Sequence, residues 1–422
     1  MHLPGYIYIL DKRDFKMAKE KEQSEAQSKN TKKRSKKKTV GKIVILVAEV
    51  LVLVVVFLLV KVWSMYEQTQ DGTEYSDSEL GIVTLESEEV VDVFEGEYTN
   101  IALFGIDNRS SSNYDTGNSD TIMILSINNE TKEAKIVSVY RDTYLLVSDD
   151  KYRKANAAYQ LGGVSGAIKM LNTNLDLQGN KAIRHYVCVD WNALVEAIDA
   201  LGGVEIEITD EEVKWINYYV DETAKGAGTT SEYVSESGLV TLNGVQATSY
   251  ARIRYTSGND YKRTSRQRIV LQAMLEKAQD ASFTTLAAIC NDVVDDVQTS
   301  LTLTQMLYLL KDLGSYTLVS TTGFPFDLTT VELSVTGDTV VAADLYSNVV
   351  QLHAYLFDEE DYVPSETLMN ISNEIISLTG VTTNSALVDT SDLNDTVGAN
   401  GTDDLTSMEE ETEDTETEDM GY

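Results

Sequence analysis

The sequence predicts an α/β fold, a mixed central β-sheet flanked by helices, with one N-terminal transmembrane helix and a disordered acidic C-terminal tail. Three observations predict it. Between residues 97 and 320, short apolar runs alternate with segments of helical spacing, the pattern of a layered sheet-and-helix domain. A basic island at 29–42 leads directly into an apolar stretch at 43–60. The terminal segment 389–422 is acidic and Thr-rich and contains no Lys or Arg.

Taken in chain order, residues 1–42 form a basic cytoplasmic tail, with Lys-Lys-Arg-Ser-Lys-Lys-Lys from Lys32 to Lys38. Residues 43–63 follow as a signal anchor. At about 1.5 Å per residue its apolar stretch spans a bilayer core, Glu49 sits near the basic end, and Trp63 and Tyr66 suit the far interface. The basic side stays in the cytoplasm under the positive-inside rule, which puts everything after Trp63 outside. No small-residue cleavage site follows, so the helix reads as a retained anchor. Residues 1–16 fit poorly as a leader, and Met17 is the expected translation start; recovery of a peptide from residues 1–16 would rule that out. The segment 64–96, rich in Glu, Asp, Ser, Thr and Gly, reads as an acidic extracytoplasmic linker.

The main domain is expected at 97–320. Strands are expected at 100–105, 121–127 and 134–139, the latter two paired through the turn-rich Asn128-Asn-Glu-Thr131. A helix at 164–175 follows Gly162-Gly163. A strand at 185–189 and a helix at 191–201 come next, the helix stopped by Gly202-Gly203 before a strand at 204–208. Further helices are expected at 243–251, 264–278 and 304–314. Residues 321–380 continue the fold or add a small accessory layer, and 381–422 form the acidic tail.

Composition narrows the function. A net charge of -34 argues against a nucleic-acid partner, because binding phosphate backbones needs cations spread over a surface. With two cysteines, Cys188 and Cys290, both in apolar runs, the chain is no disulfide scaffold, and a bridge between the two stays open. No phosphate loop, Gly-x-Ser-x-Gly elbow or His/Cys metal spacing occurs. Of the three histidines, His185 is the one placed in the domain's strands, where a structural role outweighs a catalytic one.

The second basic island is Ala251-Arg-Ile-Arg-Tyr-Thr-Ser-Gly-Asn-Asp-Tyr-Lys-Arg-Thr-Ser-Arg-Gln-Arg268. In an extended stretch Arg252 and Arg254 share a face, and on a helix Arg263, Arg266, Gln267 and Val270 share a stripe. A helix N-terminus near Thr264 would add free N–H donors, equipping the corner for a phosphate-like anion. The competing reading is a solvated basic face; the acidic background and the regular spacing favour the anion site. Asp107 and Asp120, at strand ends in Gly105-Ile-Asp-Asn-Arg109 and Asn118-Ser-Asp-Thr121, offer oxygen ligands for Mg²⁺ or Mn²⁺, although Asp at a strand end is more often turn chemistry. Arg141 and Asp142 occupy a third strand end.

In order and spacing these segments resemble the LytR-CpsA-Psr family. The resemblance rests on Asn100-Ile-Ala-Leu-Phe-Gly-Ile-Asp-Asn-Arg109, Ser119-Asp-Thr-Ile-Met-Ile-Leu-Ser-Ile-Asn128, Arg141-Asp-Thr143, Lys154-Ala-Asn-Ala-Ala-Tyr159, Leu201-Gly-Gly-Val204, Leu242-Asn-Gly244 and the arginine segment. It implies an extracytoplasmic phosphotransferase that moves a glycopolymer, of teichoic acid or capsular type, from undecaprenyl pyrophosphate to peptidoglycan. Its partners would be the lipid-linked glycan, the peptidoglycan acceptor and membrane lipid. The resemblance implies Asp107 and Asp120 as ligands of Mg²⁺, and Arg109, Arg141, Arg252, Arg254, Arg263, Arg266 and Gln267 as pyrophosphate contacts. It implies Asp142 as the residue that orients Arg141 and Asp260 as a metal or acceptor contact. Two positions depart from the family pattern: Tyr140 replaces the usual Pro, and Ala157 a frequent His. The alternatives are hydrolysis of the lipid pyrophosphate without an acceptor, and a non-catalytic membrane-anchored envelope regulator. The prenyl chain of such a donor requires an apolar tunnel between sheet and helices.

Overall fold

The computed structural model describes residues 70–71, 75–82, 96–106, 117–254, 259–282, 285–286, 289, 297–311 and 313–390. All lie in the compact unit Met65–Tyr422. The expected cytoplasmic tail, the anchor at 43–63 and most of the linker fall outside the described residues, as do Asp107, Arg109, Cys290 and the tail beyond 390. Among the described residues no helix is long and apolar enough to cross a membrane.

The chain runs β1 (Gln70–Asp71), β2 (Tyr98–Ile106), β3 (Ser119–Asn128), β4 (Glu133–Val139), the hairpin β5 (Tyr144–Ser148) and β6 (Lys151–Lys154), then α1 (Ala157–Asn174). It continues with β7 (His185–Val189), α2 (Trp191–Ala200), β8 (Val204–Ile208), α3 (Asp210–Gly226), β9 (Gly238–Leu242), α4 (Gly244–Ala251) and α5 (Asn259–Asp280). The last elements are β10 (Val297–Thr299), α6 (Leu303–Lys311), β11 (Thr317–Phe324), the hairpin β12 (Leu328–Leu333) and β13 (Gly337–Ala342), α7 (Leu345–Phe357) and α8 (Glu366–Thr379).

The central sheet has the order β1-β10-β7-β2-β3-β4-β11. It is mixed: β2–β3 and β3–β4 are antiparallel, while β2–β7 and β4–β11 are parallel. The reason is visible in β3, whose alternate residues serve two cores. Ile122 and Ile124 face one cluster with Ile168 and Leu352, whereas Met123 and Ile127 face another that includes Leu271 and Leu275 of α5. A strand apolar on both faces needs helices on both faces, and each fully buried aliphatic side chain contributes about 1.5–3 kcal/mol to holding them.

Several expected elements take a different form. The helix expected at 164–175 starts at Ala157, with Gly162 and Gly163 non-helical inside it, so that glycine pair kinks a longer helix. The helix expected from Thr264 starts at Asn259, which puts its first turn on Asp260. Helix α3 was not among the expected elements; Thr209 and Glu212 close a capping box at its start. Strand β11 crosses residue 320 and pairs with β4 along seven positions. The elements after it pack into the main core through Phe324, Val341, Leu352, Leu368 and Ile371.

Candidate functional site

The site begins with an irregularity in the β2–β3 ladder. Gly105 pairs with Thr121 and Ile106 with Ser119, so Asp120 is the extra residue of a β-bulge. A bulge re-aims the side chain it carries, and here the carboxylate of Asp120 is aimed at the end of β4. Gly105 permits this closeness, since a Cβ on it would lie 2.9 Å from the Cβ of Thr121.

Arg141 stands just past β4 and joins two carboxylates. Its Nη1 donates to Asp120 Oδ1 at 2.6 Å and its Nε to Asp260 Oδ2 at 2.9 Å. Arg263, one turn into α5, donates from Nη2 to the same Asp260 oxygen at 3.1 Å, and Arg254 Nη2 lies 3.5 Å from Asp120 Oδ2. Asp142 lies 3.6 Å from Arg141 Nε and 3.1 Å from Lys154 Nζ. The motif after β6 wraps this loop, with Ala155 and Asn156 donating to the carbonyls of Thr143 and Arg141. From the other side, Val340 of β13 donates to the carbonyl of Asp142.

Burial shapes the charges. It works to raise the Asp260 carboxyl, but Arg263 and Arg141 outweigh it and hold the group below the usual carboxylate range. Burial likewise opposes the charge of Arg141, and Asp260, Asp120 and Asp142 overcome it, so this guanidinium is raised. Arg263 goes the other way: burial, against the pull of Asp260, pushes it down to about 10. Its side chain is 3% exposed, and its Nε and Nη1 are buried with no hydrogen-bond partner. Buried donors without partners cost about 1–3 kcal/mol, so an acceptor that reached these two atoms would relieve that cost.

The arginines expected to act together divide. Arg141, Arg254 and Arg263 gather on Asp120 and Asp260. Arg252 does not share a face with Arg254, because it caps α4 in helical geometry instead of lying in an extended stretch. It pairs with Glu222 at 3.0 Å, donates to Thr223 Oγ1 at 2.7 Å and lies over the Tyr219 ring at 5.0 Å. Arg266 does not join the cluster either. It forms a buried pair with Glu212 at 2.8 Å, side chains 7% and 12% exposed. Position 266 of α5 meets Glu212 in the first turn of α3. Gln267, on the same helix, lines a cavity.

That cavity, of about 220 Å³, lies between the sheet and α2 and α5 and is walled by apolar residues including Leu103, Val187, Leu194, Val270, Leu271 and Met274. Thr121, the neighbour of Asp120, and Ala251 also line it, so the apolar space adjoins the charged cluster along the chain. Such a chamber suits an alkyl or prenyl chain.

The fit of a divalent cation rests on Asp120. Its oxygens are hard donors suited to Mg²⁺, yet both already face Arg141 and Arg254. Among the described residues no group of three metal-ligating side chains converges. Cys188 is buried beside Tyr159, and burial pushes its thiol up to about 12, which makes it inert.

The residues that sequence reasoning passed over are Lys154 as the partner of Asp142, Glu212 as the partner of Arg266, and Tyr140 with Gly323. The last pair answers the missing proline. A Cβ on Gly323 would lie 2.0 Å from the Tyr140 hydroxyl oxygen, so the tyrosine fills the space the glycine leaves. Tyr140 also meets Tyr261 edge-on at 4.8 Å, tying the Arg141 loop to the first turn of α5.

The sequence model of the LytR_cpsA_psr family matches residues 61–354. The chain is 31% identical over 251 residues to the polyisoprenyl-teichoic acid–peptidoglycan teichoic acid transferase TagU of Oceanobacillus iheyensis, covering 58% of this chain and 70% of the relative. To the TagU of Enterococcus faecalis it is 29% identical over 248 residues, 58% of this chain and 75% of the relative. Among solved structures, one from Streptococcus agalactiae aligns with a TM-score of 0.52 at 24% identity, covering 64% of this chain and 91% of the other. A protein described as a transcriptional regulator from Enterococcus faecalis aligns with the same score at 21% identity, covering 71% and 100%. These structural likenesses establish a shared fold.

Proposed function

We propose, from the premise that the chain belongs to the LytR-CpsA-Psr family, that it is a phosphotransferase joining a lipid-linked glycopolymer of teichoic acid type to peptidoglycan. The relatives it matches are named as transferases of that kind. The observation that carries the reading is Arg263, a buried guanidinium with two unpartnered donor atoms, set in the Asp120–Arg141–Asp260 cluster beside an apolar cavity. A pyrophosphate satisfies the donors, and its polyprenyl chain occupies the cavity.

In this reading an acceptor hydroxyl attacks the glycan-side phosphorus, the bond from that phosphorus to the bridging oxygen breaks, and polyprenyl phosphate leaves, while the hydroxyl proton passes to water or to the departing phosphate. Charge builds on the phosphoryl and bridging oxygens, where Arg141, Arg254 and Arg263 stabilise it. Asp142 and Lys154 hold Arg141 in place. Asp260, kept ionised by its two arginines, is a weak base. It therefore acts by orienting them and the incoming hydroxyl, and a loose phosphoryl-transfer transition state needs little help from a base. Asp120, with Asp107 outside the described residues, would hold Mg²⁺ or Mn²⁺, which when bound neutralises phosphate charge. The anchor proposed at 43–63 confines the domain to the outer face of the membrane, where the lipid donor resides.

The test supplies the purified full-length protein with a lipid-linked glycan and peptidoglycan. Polymer bound covalently to peptidoglycan is expected; release to water alone supports the hydrolase alternative. Absence of turnover, unchanged by Arg141→Ala or Asp120→Ala, removes both enzyme readings and leaves the regulator.

A further inference from the structure

The hairpin of β12 and β13 lies in the part of the chain, 321–380, whose role the sequence leaves open, and it touches both segments that carry the Arg141–Asp260 contact. We propose that this hairpin is a positioning element. Its cross-strand pair Thr330–Val340 sets the distance between the Arg141 loop and the first turn of α5, and Tyr261 is the positioning residue through which it acts. The effect on rate rests on the transferase reading; the geometric claim does not.

Side chains alternate along a strand, and this gives the hairpin two different faces. Val331 and Val341 turn to the main core, where Val341 is fully buried. Leu328 and Val340 turn the other way and pack with Tyr140 and Tyr261. Those two tyrosines are the chain neighbours of the charged pair, since Tyr140 precedes Arg141 and Tyr261 follows Asp260. Their rings meet edge-on at 4.8 Å, a contact with a preferred geometry, so the hairpin is fixed to the core on one side and to the roots of the charged pair on the other.

Register turns this fixture into a spacer. Thr330 and Val340 lie directly opposite each other in the hairpin. The backbone N–H of Val340 points away from β12 and donates to the carbonyl of Asp142 at 3.1 Å, so the pair is of the non-hydrogen-bonded kind, whose side chains stand closest. A parallel bridge between Thr143 and Val340 continues this attachment. On the other strand, Thr330 Oγ1 shares a hydrogen bond with the Tyr261 hydroxyl at 3.3 Å. One member of the pair thus holds the residue after Arg141, and the other holds the residue after Asp260. Asp260 and Arg263 lie one turn apart on α5 and are joined at 3.1 Å, so a shift of that turn carries the carboxylate and the buried guanidinium away from Arg141 together.

The experiment compares Tyr261→Ala, Val340→Ala and Tyr261→Phe in the full-length protein, with Ile371→Val in buried α8 packing as a control for lost stability. Transfer from a polyprenyl-pyrophosphate-linked glycan to peptidoglycan is followed at a temperature where every variant is folded. Tyr261→Ala and Val340→Ala are expected to lower kcat about tenfold with little change in KM, because a misplacement of well under 1 Å already degrades contacts made in the transition state. Tyr261→Phe keeps the ring but not the contact to Thr330, and its rate should fall between those of Tyr261→Ala and the wild type. Ile371→Val should leave the rate unchanged. In an Arg141→Ala background the loss caused by Tyr261→Ala should disappear, since the contact it positions is already gone. Losses no larger than that of Ile371→Val, or a Tyr261→Ala loss of full size in the Arg141→Ala background, overturn the proposal. If the wild type shows no turnover, the transferase reading fails and stability decides the geometric claim: Tyr261→Ala should shrink the melting difference that Asp260→Asn makes at about pH 6, and an undiminished difference overturns it.

Discussion

Arg141 and Asp260, 119 positions apart in sequence, meet through Nε and Oδ2 at 2.9 Å, and this contact fastens the end of strand β4 to the first turn of helix α5. The same guanidinium reaches Asp120 on a third element at 2.6 Å. One arginine thus sets the relative positions of the three segments that form the charged cluster.

Removing that guanidinium by Arg141→Ala is expected to lower the transfer rate by about 10²–10³-fold, as for loss of a preorganised donor at a developing charge. Arg141→Lys restores only part of it, because an ammonium cannot serve two carboxylates with a fixed fork. Single-turnover rates with lipid-linked glycan measure both. A lysine variant at the wild-type rate would show that charge alone, and not the fork, matters.

Acid stability reports on Asp260. Its carboxyl is held below the ordinary value of 3.8, so the folded state binds fewer protons than the unfolded chain near that pH. The contribution is complete above the unfolded value and is lost as pH falls through the folded one. Asp260→Asn should therefore melt lower than the wild type at pH 6, with the gap closing below about pH 4. A gap that stays constant down to pH 2 contradicts the assignment.

Arg266 is an arginine whose carboxylate partner lies wholly outside the charged cluster. Its buried pair with Glu212 implies that Glu212→Ala destabilises the fold by about 3–5 kcal/mol by leaving the guanidinium uncompensated. Denaturant unfolding measures this. Binding of polyprenyl pyrophosphate, measured where the variant is still folded, is expected to match the wild type; a selective loss of binding with normal stability would return Arg266 to the phosphate site.

Gly323 and Tyr140 provide a packing test. Gly323→Ala places a methyl group where the buried Tyr140 ring already lies and should cost about 1–3 kcal/mol. In the double variant with Tyr140→Ala the cost of the alanine should largely disappear, a coupling readable from a double-mutant cycle. Additive effects would mean that the ring simply moves aside.

The fold was legible where apolar periodicity met punctuation. The strands at β2, β3, β4, β7 and β8 and the helix α2 were expected within a few residues, because each is a short apolar run closed by Gly, Asn or a charged end. The sheet edge β11, with its run of Thr and Ser, was missed; so was α3, whose polar face obscured its spacing. At the site, Arg141, Asp142, Asp120, Asp260, Arg254 and Arg263 were all named from sequence, and these are the residues that converge. Arg252 was placed with them because spacing assumed an extended segment, and Arg266 because spacing does not show that Glu212 of another helix meets it. The alternation rule that predicts which side chains share a face holds only within an unbroken element, and Arg252 sits on a helix cap.

By itself the sequence determined the alternation of strands and helices, the acidic composition and the concentration of arginines in one segment, since each follows from local residue chemistry. Tertiary structure alone decided which arginines gather at the charged cluster and which pair elsewhere in the fold. That choice depends on where carboxylates from distant segments arrive: Asp120 on a bulge and Asp260 at a helix start draw Arg141, Arg254 and Arg263 together, while Glu212 and Glu222 of α3 draw Arg266 and Arg252 away. A buried guanidinium goes to the nearest compensating charge because the cost of leaving it unpaired exceeds any local preference.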